Sequence, residues 1–284
     1  MGRWRQFRQR ARSHIANRDV FRDAAHGINN YLRHLHRIHG NVALLQNAIA
    51  EQRRYAAGSN DPAQLLTLLL LLTPGAAQAQ EQIDKHPHGF HRKEARVFEL
   101  IDFNDAYVAT VLALGRHHLH SFNTHLKHAM DDMCHRVGAR AFSDEQFEAI
   151  TRGLTREIAV YLSAVELGYD VRITSRREDA MGVDMVVRDK QTERSVNLDI
   201  KSPSSYRYRL QDLVREGRMS EDRQLAADET GYAFETNGHG SEAVDVVLFR
   251  IDANEVGEIV DFRFEEPAKL DERLQKVLSL SPNS

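Results

Sequence analysis

A change of hydrophobic period near the middle of the chain does most to limit its fold. Up to about residue 142 the apolar residues recur every three or four positions, whereas beyond Gly168 they come in short runs rich in Val and Ile. The first pattern builds amphipathic helices and the second builds strands. At 284 residues the chain has room for two ordinary domains. The expected division is a helical domain over 1–142 and a mixed α/β domain over 143–284.

In the first half, Val20, Phe21, Ala24, Ile28, Tyr31, Leu32, Leu35 and Ile38 mark one helical face. A second helix is expected over about 41–57. Asp61-Pro62 is a cap followed by proline, and it opens a leucine-rich helix that Thr73-Pro74-Gly75 should close. Two more helices are expected over 93–114 and 119–137. In the second half, Ser143 to Gln146 is a capping box leading into a helix that stops at Gly168. Strands are expected over 169–174, 183–188, 195–201, 244–251 and 259–264, with helices over 210–225 and 270–278. Asp189 to Arg194 is long enough for a hairpin and too short for a crossover.

Composition excludes several classes. A hydrophobic share of 42% and a charged share of 28% rule out a low-complexity or wholly disordered chain. Cys134 stands alone, so no intramolecular disulfide can form and a reducing compartment is expected. The longest apolar stretch, Leu65 to Leu72, falls well short of the roughly 20 residues that span a bilayer. The arginine-rich first residues lead into no apolar segment of a secretory signal. The expectation is a soluble, cytoplasmic protein with no membrane partner. Charge is divided unevenly: residues 1–60 sum to +8, 61–142 to −1 and 143–284 to −10.

Four residues in the second half carry chemistry. Asp199 and Lys201 stand two apart on an expected strand, so they share one face while Leu198 and Ile200 share the other. Asp184, on the strand before the hairpin, can lie beside Asp199. Glu157 borders the apolar face of the preceding helix and can lean toward the same point. Carboxylates gathered with a lysine suit a hard divalent cation, which lowers the pKa of bound water and offsets charge on a phosphorus centre. The lysine can orient or deprotonate that water. Hydrolysis of a phosphodiester is the chemistry implied.

The order Glu157, Gly182-Val183-Asp184, Asp199-Ile200-Lys201 resembles the PD-(D/E)XK nuclease superfamily over residues 143 to about 265. Gly182-Val183 stands in place of the proline of the name. The resemblance implies an α+β restriction-endonuclease-like core of order αβββαβ, with a central mixed sheet flanked by helices. It implies Mg2+ or Mn2+ held by Asp184, Asp199, the carbonyl of Ile200 and Glu157, with Lys201 assisting the attacking water. It also favours DNA over RNA as substrate. The runners-up are a catalytically silent nucleic-acid-binding or assembly protein on the same fold, an RNA-cleaving toxin or defence nuclease, and a helical metal-binding or interaction protein.

Substrate contacts are expected from two places. Ser202 to Arg209 follows the lysine and, read as a loop, offers Ser202, Ser204, Tyr206, Arg207 and Arg209 to a phosphate backbone. Gln211, Arg215 and Arg218 are weaker candidates. The basic N-terminus, with Arg3, Arg5 and Arg8 among its arginines, can track nucleic acid or dock a protein. The helical domain is otherwise free to bind a partner protein or a second copy. Its histidines, His117, His120, His125, His128 and His135 among them, are read as a polar helix face rather than a metal site.

Overall fold

The computed structural model describes residues 18–33, 38–85, 97–115, 119, 121–174, 176–179, 181–238 and 243–280. The chain forms two compact units, Met1–Thr151 and Arg152–Ser284. The division falls inside a helix rather than at the expected 142/143 position.

In the first unit, helices cover residues 18–32 (α1), Gln46–Ala56 (α2), Pro62–Lys85 (α3), Val97–Ala113 (α4) and Phe122–Val137 (α5). Helix α3 is the centre, packed against α2, α4 and α5. It does not stop at Thr73-Pro74-Gly75 as expected. Pro74 is tolerated inside it even though an interior proline costs about 3 kcal/mol. Burial of Leu65 to Leu72 on one side of the proline and of Ala76, Ala77 and Ala79 on the other holds the helix together. The Thr73 hydroxyl donates to the Leu69 carbonyl 3.0 Å away, adding a bond beside the one the proline removes. By length and composition α3 could cross a membrane, yet 67% of its most apolar window is buried.

Helix α6 (Asp144–Glu166) begins with the capping box read from the sequence. The Gln146 amide N–H donates to the Ser143 hydroxyl at 3.2 Å, and the Ser143 N–H donates to the Gln146 side chain at 2.9 Å. Its end is set by Gly168, whose φ of +97° few other residues accept. The second unit then runs β1 (Asp170–Ile173), α7 (Arg176–Asp179), β2 (Met185–Arg188), β3 (Ser195–Lys201), α8 (Pro203–Arg215), α9 (Glu221–Thr230), β4 (Tyr232–Asn237), β5 (Val244–Arg250) and α10 (Ala253–Val256). A two-residue hairpin, β6 (Ile259–Val260) with β7 (Arg263–Phe264), precedes α11 (Pro267–Leu280).

The mixed α+β character expected from the sequence is present. The five-stranded sheet has the order β1-β2-β3-β5-β4. Strands β1, β2 and β3 form an antiparallel meander through the expected hairpin, β5 runs parallel to β3, and β4 lies antiparallel at the edge. One face, carrying Val187, Leu198, Ile200 and Phe249, packs on α6 and α11. The other, with Ala233 and Leu248, packs on α8 and α9 through Tyr206, Leu210, Leu213 and Ala227.

Several elements differ from the expectation. Strand β4 has its polarity inverted, with Ala233 and Glu235 buried and Phe234 and Thr236 exposed, so the usual alternation signal is missing. Residues 203–209 are not a loop. They are the first turns of α8, with Ser202 as N-cap and Pro203 in the first turn. The single helix expected over 210–225 is broken at Gly217, which has φ +70°, and α9 restarts behind the Ser220 cap. The strand expected over 259–264 is the small β6–β7 hairpin, outside the main sheet.

Candidate active site

The end of β3 is where the chemically interesting residues meet. Strand alternation puts Leu198 and Ile200 into the core below, so Asp199 and Lys201 are forced onto the face that carries α8. Asp199 is only 5% exposed, while the Lys201 side chain is 28% exposed. The Lys201 ammonium donates to Asp199 Oδ1.

Asp184 lies immediately before β2 rather than on it. Its N–H donates to the Leu198 carbonyl at 2.8 Å, extending the β2–β3 ladder by one step. Its Oδ2 accepts the Ile200 N–H at 2.6 Å. A carboxylate bonded to the backbone between Asp199 and Lys201 is thereby fixed beside both. Glu157, partly buried on α6, is close enough to feel the charges of Asp184, Asp199 and Lys201. The structure therefore brings Asp184, Asp199 and Lys201 together and leaves Glu157 within electrostatic reach of them.

It adds a fifth. Asp179 ends α7, and a turn through Gly182 (φ +80°) folds back on it, with the Gly182 N–H donating to the Asp179 carbonyl at 2.8 Å. Its charge acts on both Glu157 and Asp184. In the sequence Asp179 is one polar residue of a turn-like segment, and no spacing rule points to it.

The electrostatics follow from the geometry. Burial, together with the Asp184 charge and against the pull of Lys201, pushes the Asp199 carboxyl up to about 7. Burial also raises Asp184, with Lys201 and the Ile200 N–H working the other way. Glu157 is raised well above the carboxylate range, first by burial and then by Asp184 and Asp179. For Lys201, burial disfavours the charge, but Asp199, Asp184 and Glu157 outweigh it and hold the ammonium protonated. The site is a buried concentration of negative charge with one internal cation.

Among the described residues, no three His, Cys, Asp or Glu side chains converge closely enough to enclose a metal ion. The donor set nevertheless fits a cation that needs little enclosure. Mg2+ keeps several waters and is typically bound through one or two carboxylates plus the substrate's phosphate. Asp184 and Asp199 supply such a pair, and their raised pKa values mark a site that a cation would relieve. The described part of the histidine helix holds no such group either; the His125 ring sits 2.9 Å from the Ser121 carbonyl. His117 and His120 lie outside the described residues.

The expected substrate contacts are divided by α8. Tyr206 faces inward, fully buried, and its hydroxyl donates to the Ala227 carbonyl at 2.8 Å, so it belongs to the core and not to a binding surface. Arg209 is likewise withdrawn, since its Nη2 donates to Glu235 at 2.8 Å. The Ser202 hydroxyl is used as the helix cap, accepting the Ser205 N–H. Ser204 and Arg207 are exposed on α8, with Arg207 3.6 Å from Asp228. Helical rotation exposes Tyr208 where the loop reading pointed to Tyr206. Arg215 pairs with Asp212 and Arg218 with Glu216. Arg3, Arg5 and Arg8 lie outside the described residues.

Comparison of the chain with protein-family models, with curated proteins and with solved structures finds no match.

Proposed function

We propose that the second unit is a metal-dependent nuclease that hydrolyses phosphodiester bonds, with DNA as the favoured substrate. The observation that carries this reading is the Asp184–Asp199–Lys201 cluster, held at the end of β3 by the Ile200 N–H and open to solvent at Lys201. The order α6, β1, β2, β3, α8, β5, with β5 parallel to β3, supports a restriction-endonuclease-like core carrying β4 as an extra edge strand.

Asp184 and Asp199 would hold Mg2+ or Mn2+, with the Ile200 carbonyl and waters completing the shell; Glu157, which the resemblance also implies as a ligand, stands only within electrostatic reach of the pair. Such an ion supplies a water of lowered pKa and offsets charge on the reacting phosphate. Lys201, kept protonated by its carboxylate neighbours, acts as a donor: it orients the water and stabilises charge developing on phosphate oxygens. Glu157, whose carboxyl burial and the Asp184 charge raise above its ordinary range, is placed to exchange a proton with the site. Exposed Ser204 and Arg207 contact the backbone at short range.

The test is incubation of the whole chain with single-stranded DNA, duplex DNA and RNA, each with Mg2+, Mn2+ or EDTA. Cleavage of DNA that EDTA stops and Lys201→Met abolishes supports the reading. Binding without cleavage under every condition would overturn it in favour of a silent nucleic-acid-binding protein.

A further inference from the structure

The edge strand β4 carries a second polar cluster on the face that bears Asp199. Glu235 and Asn237 stand two apart, so their side chains point the same way, toward that face. The Glu235 side chain is only 3% exposed and accepts from Arg209 Nε at 3.2 Å and Nη2 at 2.8 Å. It also accepts from Asn237 Nδ2 at 3.0 Å.

That same Nδ2 donates to the Met181 carbonyl at 3.1 Å. An amide nitrogen has two protons, and here one goes to each acceptor. The Asn237 carbonyl oxygen faces Arg218 Nη2 at 3.4 Å, which fixes which way the amide is turned. The turn that carries Met181 and Gly182 is thus tied to a buried ion pair. A side chain at Gly182 would begin 3.2 Å from Asn237 Nδ2 and 3.9 Å from Asp199 Oδ2, so the turn is held between the two. Two residues further along comes Asp184, whose carboxylate takes the Ile200 N–H.

Burying a carboxylate and a guanidinium adds little to stability, and such pairs can instead specify one conformation. We propose that Asn237, oriented by the Glu235–Arg209 pair, is a positioning residue that fixes the Met181–Gly182 turn and so sets Asp184 against Asp199. Its consequence for catalysis rests on the reading of those two aspartates as the metal pair; its effect on Asp184 does not.

Amide hydrogen exchange of the metal-free full-length protein, followed by NMR, tests the placement. In Asn237→Ala the Asp184 and Ile200 amides should exchange at least ten times faster, while those of Val246 to Phe249 in β5 keep the wild-type rate. The isosteric Asn237→Asp, which preserves shape but lacks the donors, should do the same and guards against a variant that fails to fold. Tyr206→Phe, which breaks a buried bond elsewhere in the α8 layer, should leave Asp184 and Ile200 unchanged. Unaltered exchange at Asp184 and Ile200 in both Asn237 variants would overturn the proposal. Calorimetric titration with Mn2+ alone separates the two readings: at least tenfold weaker binding by the Asn237 variants extends the effect to the metal site. Absence of Mn2+ binding by the wild type would overturn the metal reading and leave the exchange rates to decide the positioning.

Discussion

Asp199→Asn should make the protein more stable and inactive at once. In the wild type the Asp199 carboxyl is lifted from 3.8 to about 7 by burial and by Asp184, net of the help from Lys201. At about 1.4 kcal/mol per pH unit, keeping it ionised costs up to about 4 kcal/mol, an upper limit because water and neighbouring groups relax around a buried charge. Asparagine has the same shape and no charge, and Lys201 keeps Asp184 and Glu157 as partners. A gain of about 1–3 kcal/mol at pH 8 is expected, or roughly 2–10 °C in Tm for a unit of this size.

The sign of the pH dependence is fixed by the same shift. Because the native pKa lies above the unfolded one, the native state holds a proton between about pH 4 and 7 that the unfolded chain has released. The Asp199 contribution to wild-type stability therefore falls as pH rises through that window, and the advantage of Asp199→Asn shrinks as pH drops toward 4. Mg2+ acts in the opposite sense, stabilising the wild type by about 1.4 kcal/mol at ten times its Kd and leaving the variant unmoved. Calorimetry at pH 5 and pH 8, with and without Mg2+, reads all of this from the transition that Mg2+ shifts. A variant no more stable than wild type at pH 8 would refute the claim that Asp199 is held ionised at a cost.

Lys201→Met should lower the cleavage rate by at least about 10²-fold at saturating Mg2+, the scale of losing one donor to developing charge; a wild-type rate would remove the lysine from the site. Asp184→Asn should raise the Mg2+ concentration needed for half-maximal activity more than Glu157→Gln does, since Asp184 is anchored to β3 and Glu157 reaches in from α6; the reverse ranking would mean the ligand pair is misassigned. Arg209→Met should cost about 1–3 kcal/mol by leaving the buried Glu235 with only the more distant Arg218 guanidinium at 3.7 Å, whereas Arg207→Met should change stability by less than about 0.5 kcal/mol and weaken nucleic-acid binding; equal melting temperatures would contradict this. Deleting residues 1–12 removes five arginines and should weaken DNA binding and flatten its salt dependence without changing the rate at saturation; an unchanged salt slope would make the segment a docking arm.

The parts of the site governed by local rules are legible in the amino-acid sequence. Alternation on β3 places Asp199 beside Lys201, and a hairpin too short for a crossover brings Asp184 to them. The substrate side is obscured because its period is easily mistaken. Taken as a loop, 202–209 offers Tyr206 and Arg209 outward; taken as a helix, successive residues turn by about 100°, which buries Tyr206 and exposes Arg207 and Tyr208. The Ser202-Pro203 cap signal is present, but the serines, tyrosines and arginines around it mask it. Arg209 and Glu235 are 26 residues apart, and such a pairing leaves no trace in spacing. Strand β4 escapes a pattern reading because its buried positions are Ala233 and Glu235, a polarity made tolerable by Arg209, Arg218 and Asn237 around the carboxylate.

These pairings also bear on where a phosphate backbone would be attracted. Several arginines of the second unit are paired within it: Arg209 with Glu235, Arg218 with Glu216, and Arg250 and Arg273 with Glu255. Lys201 is committed to Asp199. Arg207 is more than half exposed and only loosely opposite Asp228, but it stands in a segment that sums to −10. Charges more than about 10 Å apart are largely screened at 0.1 M salt, so one arginine can align a strand already in place but cannot draw it in. A bound divalent cation would cancel part of the local repulsion, so on the proposed reading metal and nucleic acid would favour each other's binding. On the proposed nuclease reading, the +8 of residues 1–60 would be the main source of long-range attraction, and capture and cleavage would fall to differently charged parts of one polypeptide.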